Sequence, residues 1–163
     1  MKKYLLPLLI VVFVMQLLVP AYMIWEKYDV LRTGEEVKIK VRPIDPYDAF
    51  RGRYVALGYD YALDYSERRG QYGILAIGAD GFAKLVRVTD EKPVGRLYLT
   101  GEDDTYFQIP MDRYYMEESL APKAERKLSE GAQAYITVRI KNEKAVISRL
   151  YINGVPAEDY LSE

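Results

Sequence analysis

A chain of 163 residues, half of them hydrophobic, has room for one folded domain and a short appendage, and not for a second full domain. With 23 basic against 24 acidic residues and a pI near 5.7, it lacks the basic field that nucleic-acid binding relies on, and no nucleic-acid partner is expected. There is no Cys and no His, which excludes disulfides, thiol nucleophiles, Ser-His-Asp triads, the usual zinc ligand sets and haem ligation by these residues. No cofactor is expected.

In chain order, Met1-Lys2-Lys3-Tyr4 is followed by LLPLLIVVFVMQLLVPAYMI, Leu5 to Ile24, an uncharged run interrupted by Pro7, Gln16 and Pro20. Twenty residues match the thickness of a bilayer core when helical. Pro7 lies in the first turns, where its missing N–H costs little, and Pro20 is expected to kink or thin the far end. Tyr4, Tyr22 and Trp25 stand at the two boundaries, where amphipathic rings favour the headgroups. Lys2 and Lys3 precede the run and a mixed, more acidic flank follows it, so the positive-inside rule puts the N-terminus in the cytoplasm and the rest outside. A cleaved signal peptide and a buried core helix stay open beside the anchor, although the run is long for a signal and offers only Ala21 near its end. Residues 1–27 are thus read as a cytoplasmic stub and transmembrane anchor, and 28–163 as a periplasmic or extracellular domain. Without Lys2 and Lys3 the balance is 21 basic against 24 acidic residues, which explains solubility and nothing more.

From Glu35 the dominant period is two. VKIKV, Val37 to Val41, reads as a strand with Val37, Ile39 and Val41 on its apolar face. DPYDAFRG, from Asp45, is a turn, and RYVALGYDY then alternates, with Val55, Leu57, Tyr59 and Tyr61 on one face and Tyr54, Ala56, Gly58 and Asp60 on the other. Tyr72 to Ile77 and Phe82 to Thr89 flank an Asp-Gly hairpin. Arg96 to Thr100 and Thr105 to Ile109 read as strands around GEDD, after which MDRYYMEES loses the alternation. Pro122 starts and Gly131 ends one short helix, the only one expected outside the membrane. AQAYITVRI and AVISRLYI form a final hairpin around KNEK, and Asn153-Gly154 makes one more turn. About eight strands and one helix imply a mainly β fold, a compact barrel or sandwich. The sequence holds no repeats or low-complexity segments.

Gly52-Arg53-Tyr54-Val55-Ala56-Leu57-Gly58-Tyr59 resembles the Gly-Asp-Tyr-x-x-Leu-x-Tyr signature of the GDYXXLXY family. The approach DPYDAFRG, with Asp45, Pro46, Asp48 and Phe50, and the aromatic segment IPMDRYYMEES, Ile109 to Ser119, are also similar to that family. The resemblance covers most of the chain and departs at Arg53, which replaces the Asp and reads as a solvated strand start. It implies an exported, membrane-anchored bacterial protein, with a multi-spanning membrane protein as the expected partner. A weaker resemblance, in the anchor, RGRYVAL, AKLVRV and LYINGVP, is to type I signal peptidases, which activate a Ser with a Lys. Lys84 is at the Lys position, but no Ser occurs between the run and Ser66, so an inactive relative fits better than a peptidase.

The remaining chemistry is carboxylate pairs: Asp45 with Asp48, Glu102-Asp103-Asp104, and Asp112 with Glu117. Each reads more simply as a turn or solvated loop, and GEDD lacks the alternating ligand spacing of a calcium loop. No catalytic or metal-binding residue is assigned. Tyrosine is in excess, 16 of 163 residues, as half-buried strand positions favour. A contact face is the alternative reading, carried by Tyr54, Tyr59, Tyr114 and Tyr115 with Arg51, Arg53 and Arg113, and by Glu117 at the end of the aromatic segment. Gly52 reads as a backbone position needing positive φ, and Phe50 and Leu57 as core. The expected function is a non-enzymatic accessory subunit of a multi-spanning membrane protein, held in the bilayer by residues 5–24. A cell-wall glycan-binding module is the second expectation and a carboxylate-dependent hydrolase the third. Oligomeric state is not readable from the sequence.

Overall fold

The computed structural model describes residues 2–43, 54–102 and 105–162, and the side chains of the N-terminal helix at residue 9 and from residue 11 onward. That helix, α1, is Lys2–Thr33, continuous through Pro20 and beyond the boundary expected at residue 27. It ends where Gly34 donates its N–H to the Val30 carbonyl at 2.8 Å, an approach with no room for a Cβ. Val30 is 3% exposed, whereas Leu9 and the apolar side chains of residues 11–25 are exposed. Among the described residues no helix is long and apolar enough to cross a membrane. The expected span of residues 5–24 includes side chains outside the described ones.

Strand β1, Glu35–Pro43, is the centre of the sheet. Its alternation buries Val37, Ile39 and Val41 and leaves Lys38 and Lys40 outside. It runs antiparallel to β7, Ala134–Lys141, from Glu35 opposite Ile140 to Val41 opposite Ala134. Strand β8, Lys144–Ile152, returns along β7, with a register shift between Thr137 and Val138. Positive φ at Asn153 and Gly154, 51° and 83°, then turns the chain tightly into the two-residue β9, Val155–Pro156. On the other side the end of β1 pairs with β2, Tyr54–Gly58, and β2 with β6, Arg113–Tyr115. The order is β6-β2-β1-β7-β8-β9.

A second sheet, in the order β4-β3-β5, comprises β3, Tyr72–Ile77, β4, Ala83–Thr89, and β5, Tyr98–Thr100. Both sheets bury their inner faces in one core, with Val55, Leu57, Leu99, Phe107, Ile136, Val138, Leu150 and Ile152 at its centre. The large sheet curls: the Tyr114 hydroxyl, on the edge strand β6, donates to Glu158 just beyond the opposite edge at 2.6 Å. Among the described residues no ladder joins β6 to β9.

Three elements differ from the sequence reading. Thr105 to Ile109 is not a strand; Phe107 is fully buried and donates its N–H to the Arg68 carbonyl, while Ile109 donates to the Tyr61 hydroxyl. Buried side chains fix this segment, so its alternation is the signature of packing and not of pairing. Conversely, β6 forms within MDRYYMEES despite the lost period, because β2 offers it a three-residue ladder. Helix α2, Ala121–Ser129, lies where Pro122 and Gly131 place it, and a further helix, α3, Ala157–Ser162, buries Ala157 and Leu161.

Partly exposed ion pairs tie α1 to the β7–β8 hairpin: Asp29 meets Lys141 at 2.5 Å, and Glu26 meets Lys144. Exposed pairs contribute at most about 1 kcal/mol each. The double change Lys141→Ala and Lys144→Ala is therefore expected to leave the melting temperature within a few degrees of wild type. It should broaden the distance distribution between spin labels on α1 and β8, and an unchanged distribution would show that Val30 packing alone fixes the helix.

Candidate functional site

The motif strand separates two roles by its pleat. Val55, Leu57 and Tyr59 face inward, and Leu57 and Tyr59 hold the segment before β6: the Leu57 N–H donates to the Asp112 carbonyl at 2.8 Å and the Tyr59 hydroxyl donates to the Met111 carbonyl. Tyr59 is 7% exposed, so its ring belongs to the core and not to the contact face expected for it. Burial, with the nearby Tyr61 and Asp112, holds its hydroxyl well above the usual tyrosine range.

The outward face carries Tyr54, opposite Tyr115 in the ladder, and Arg113, opposite Ala56. The Tyr54 and Tyr115 rings lie 5.9 Å apart, tilted by 58°, and the Arg113 guanidinium sits 5.2 Å from the Tyr54 ring centre. Tyr115 is 67% exposed. Hydrogen bonding with Tyr115, and then the Asp112 carboxylate at 3.4 Å, hold Arg113 firmly charged. Tyr114 points the other way, is half-buried, and its pKa is pushed up to about 12 by burial and by the bond to Glu158.

Of the expected contact residues, then, Tyr54, Arg113 and Tyr115 come together, and Tyr59 and Tyr114 pack inward. Glu117 is exposed, accepts from the Ser119 hydroxyl at 2.7 Å, and receives the Leu120 and Ala121 N–H groups on its carbonyl at the start of α2. Asp45, Pro46, Asp48, Phe50, Arg51, Gly52 and Arg53 lie outside the described residues, as do Asp103 and Asp104. Lys84 points its ammonium toward Asp80 at 3.8 Å, and Ser66 is exposed in the short 3₁₀ turn Tyr65–Arg68. Among the described residues no group of three or more acids is placed to hold a metal ion.

The sequence reading passed over the outer face of β1, β7 and β8. An open groove of about 770 Å³ at one end of this face, where β1 and β7 meet the turn after β8, runs from Lys40 and Arg42 past Phe82 and Tyr135 to Gln133 and Asn153. The signal was present in VKIKV and AYITVRI, whose alternation already puts Lys38, Lys40 and Tyr135 on the wet face.

The model of the family described as GDYXXLXY protein matches residues 16–150, and the chain belongs to that family. No curated protein and no solved structure matches it.

Proposed function

We propose that this member of the GDYXXLXY family is a membrane-anchored extracytoplasmic domain that acts as a non-enzymatic accessory subunit of a multi-spanning membrane protein. The observation that carries the reading is α1: its apolar residues at Leu9 and from Val11 to Ile24 are exposed, free of the β domain, and without a polar face. A surface of that kind needs an apolar cover, and the uncharged run Leu5 to Ile24 is long enough to take it from a bilayer. Tyr22 and Trp25 fit the headgroup level, 6.2 Å apart on one side of the helix. The domain then sits outside, with Lys2 and Lys3 left in the cytoplasm.

The contact surface proposed for the partner is the outward face of the β2–β6 ladder, where Tyr54, Tyr115 and Arg113 offer aromatic area and a fixed charge at a sheet edge. The test is affinity purification of the tagged full-length protein from native membranes in mild detergent, followed by mass spectrometry. A stoichiometric multi-spanning protein is expected. The double change Tyr54→Ala and Tyr115→Ala should reduce its recovery at least tenfold while the protein still melts cooperatively. Recovery of the protein alone would reject the accessory role, and an unchanged partner yield in the double variant would reject this surface.

A further inference from the structure

Across the outer face of the central sheet, the register places Lys40, Tyr135 and Tyr151 side by side in one row, and Lys38, Thr137 and Arg149 in the next. The Tyr135 and Tyr151 rings stack 4.8 Å apart and 4° from parallel, and Phe82 closes the row with its ring edge on to Tyr135 at 5.4 Å. The stacked Tyr135 and Tyr151 rings stand on the outward face of β7 and β8 and are not required by the core, which lies on the opposite side of these two strands. The groove beside them carries planar hydrogen-bonding groups at its rim, namely Gln133, Asn153, Asp60 and Arg42. Asn153 is held in place, accepting from the Gln133 N–H at 3.1 Å and donating to the Tyr160 hydroxyl at 3.3 Å.

From this constellation we infer a binding site for an acidic saccharide chain that runs from the groove lined by Lys40, Tyr135 and Asn153 on to the adjoining sheet face of Lys38, Tyr151 and Arg149. Aromatic rings offer an apolar surface to the C–H faces of a pyranose, while amide, carboxylate and guanidinium groups match its hydroxyls in pairs. The groove is open, as suits a chain passing through and not a small molecule enclosed on all sides. β7, which carries Tyr135, is paired along its length with β1 on one side and β8 on the other, so an added peptide strand finds no free edge beside that ring. The charge decides the kind of saccharide. Lys40 is matched by Asp80 at 2.9 Å and Arg42 by Asp60 at 3.2 Å, but Lys38 and Arg149 have no carboxylate partner among the described residues. Two uncompensated cations beside an aromatic row favour a sugar bearing carboxylates over a neutral one.

The site is separate from the β2–β6 face and stands or falls without the accessory-subunit reading. The experiment is calorimetric titration of the full-length protein, in a sugar-free detergent, with the N-acetylglucosamine–N-acetylmuramic acid disaccharide, whose lactyl group carries a carboxylate, and with neutral chitobiose. Saturable binding of the acidic disaccharide, at least fivefold tighter than chitobiose, is expected. Lys38→Gln with Arg149→Gln should erase that preference, Tyr151→Ala should abolish binding of both, and Tyr151→Phe should retain it. Tyr54→Ala with Tyr115→Ala should leave the titration unchanged, which separates this site from the proposed partner surface. Absence of saturable binding by wild type, or binding indifferent to Lys38, Arg149 and Tyr151 together, would overturn the proposal.

Discussion

Replacing Gly73 by Ala is expected to destabilise the domain by about 1–3 kcal/mol, an overpacking cost in a core that has no spare volume. Gly73 sits on β3 opposite Leu99, and a Cβ added there would lie 2.3 Å from Cζ and 2.4 Å from Cε1 of the Phe107 ring and 2.7 Å from the Leu85 Cδ1. The ring cannot retreat, because Phe107 is 0% exposed at the centre of the core. Phe107→Ala is expected to cost about 3–5 kcal/mol by opening a cavity. The two effects share one space. The double variant Gly73→Ala with Phe107→Leu should therefore be less destabilised than the sum of its single changes, by an interaction energy on the order of 1 kcal/mol. Thermal or urea unfolding of the four proteins completes the cycle, and strict additivity would show that Gly73 is retained for a reason other than the ring above it.

That pair also marks where the sequence was readable and where it was not. β1 and β7 were legible because each alternates over five or more residues, and β3 and β8 because Asp80-Gly81 and KNEK mark the turns of their hairpins. Thr105 to Ile109 carries the same alternation without a partner strand. A period of two reports which side chains go inward, not whether the backbone finds a ladder, and here Phe107 and Ile109 are anchored by Arg68 and Tyr61 instead. β6 was illegible for the opposite reason. Three residues are too few for a pattern, and the strand exists because its neighbour β2 is placed by β1. The site followed the same logic. Tyr54 and Tyr59 stand five positions apart in the motif and therefore on opposite faces, which the alternation itself implied. The grouping of Tyr54 with Tyr115 and Arg113 depends on a long-range register that no local pattern contains. The row of Lys40, Tyr135 and Tyr151 is likewise assembled from three strands, each of which shows only one of its members.

The motif's last tyrosine leads to the second large effect, a loss of stability in alkali that Tyr59→Phe should flatten. The neutral Tyr59 hydroxyl is buried and donates to the Met111 carbonyl, and its ionisation in the folded state is pushed far above the usual tyrosine value of about 10. In the unfolded chain the same group ionises near 10. Between those two values the folded state holds a proton that the unfolded state has released, so stability is fully present below about pH 10 and falls as pH rises above it. Tyr114, raised to about 12 by burial and the bond to Glu158, acts with the same sign over a shorter window, from about 10 to about 12. At neutral pH the Tyr59→Phe change removes a buried donor and strands the Met111 carbonyl, a cost on the order of 1–3 kcal/mol. Wild type should therefore be the more stable protein at pH 8, and the two urea midpoints should converge between pH 10 and 11.5. Tyr61→Phe serves as the control, since its hydroxyl accepts from the Ile109 N–H in a part-buried position. Curves for wild type and Tyr59→Phe that stay parallel up to pH 11.5 would mean that the hydroxyl reaches water, and that the last tyrosine of the motif is held by its ring alone.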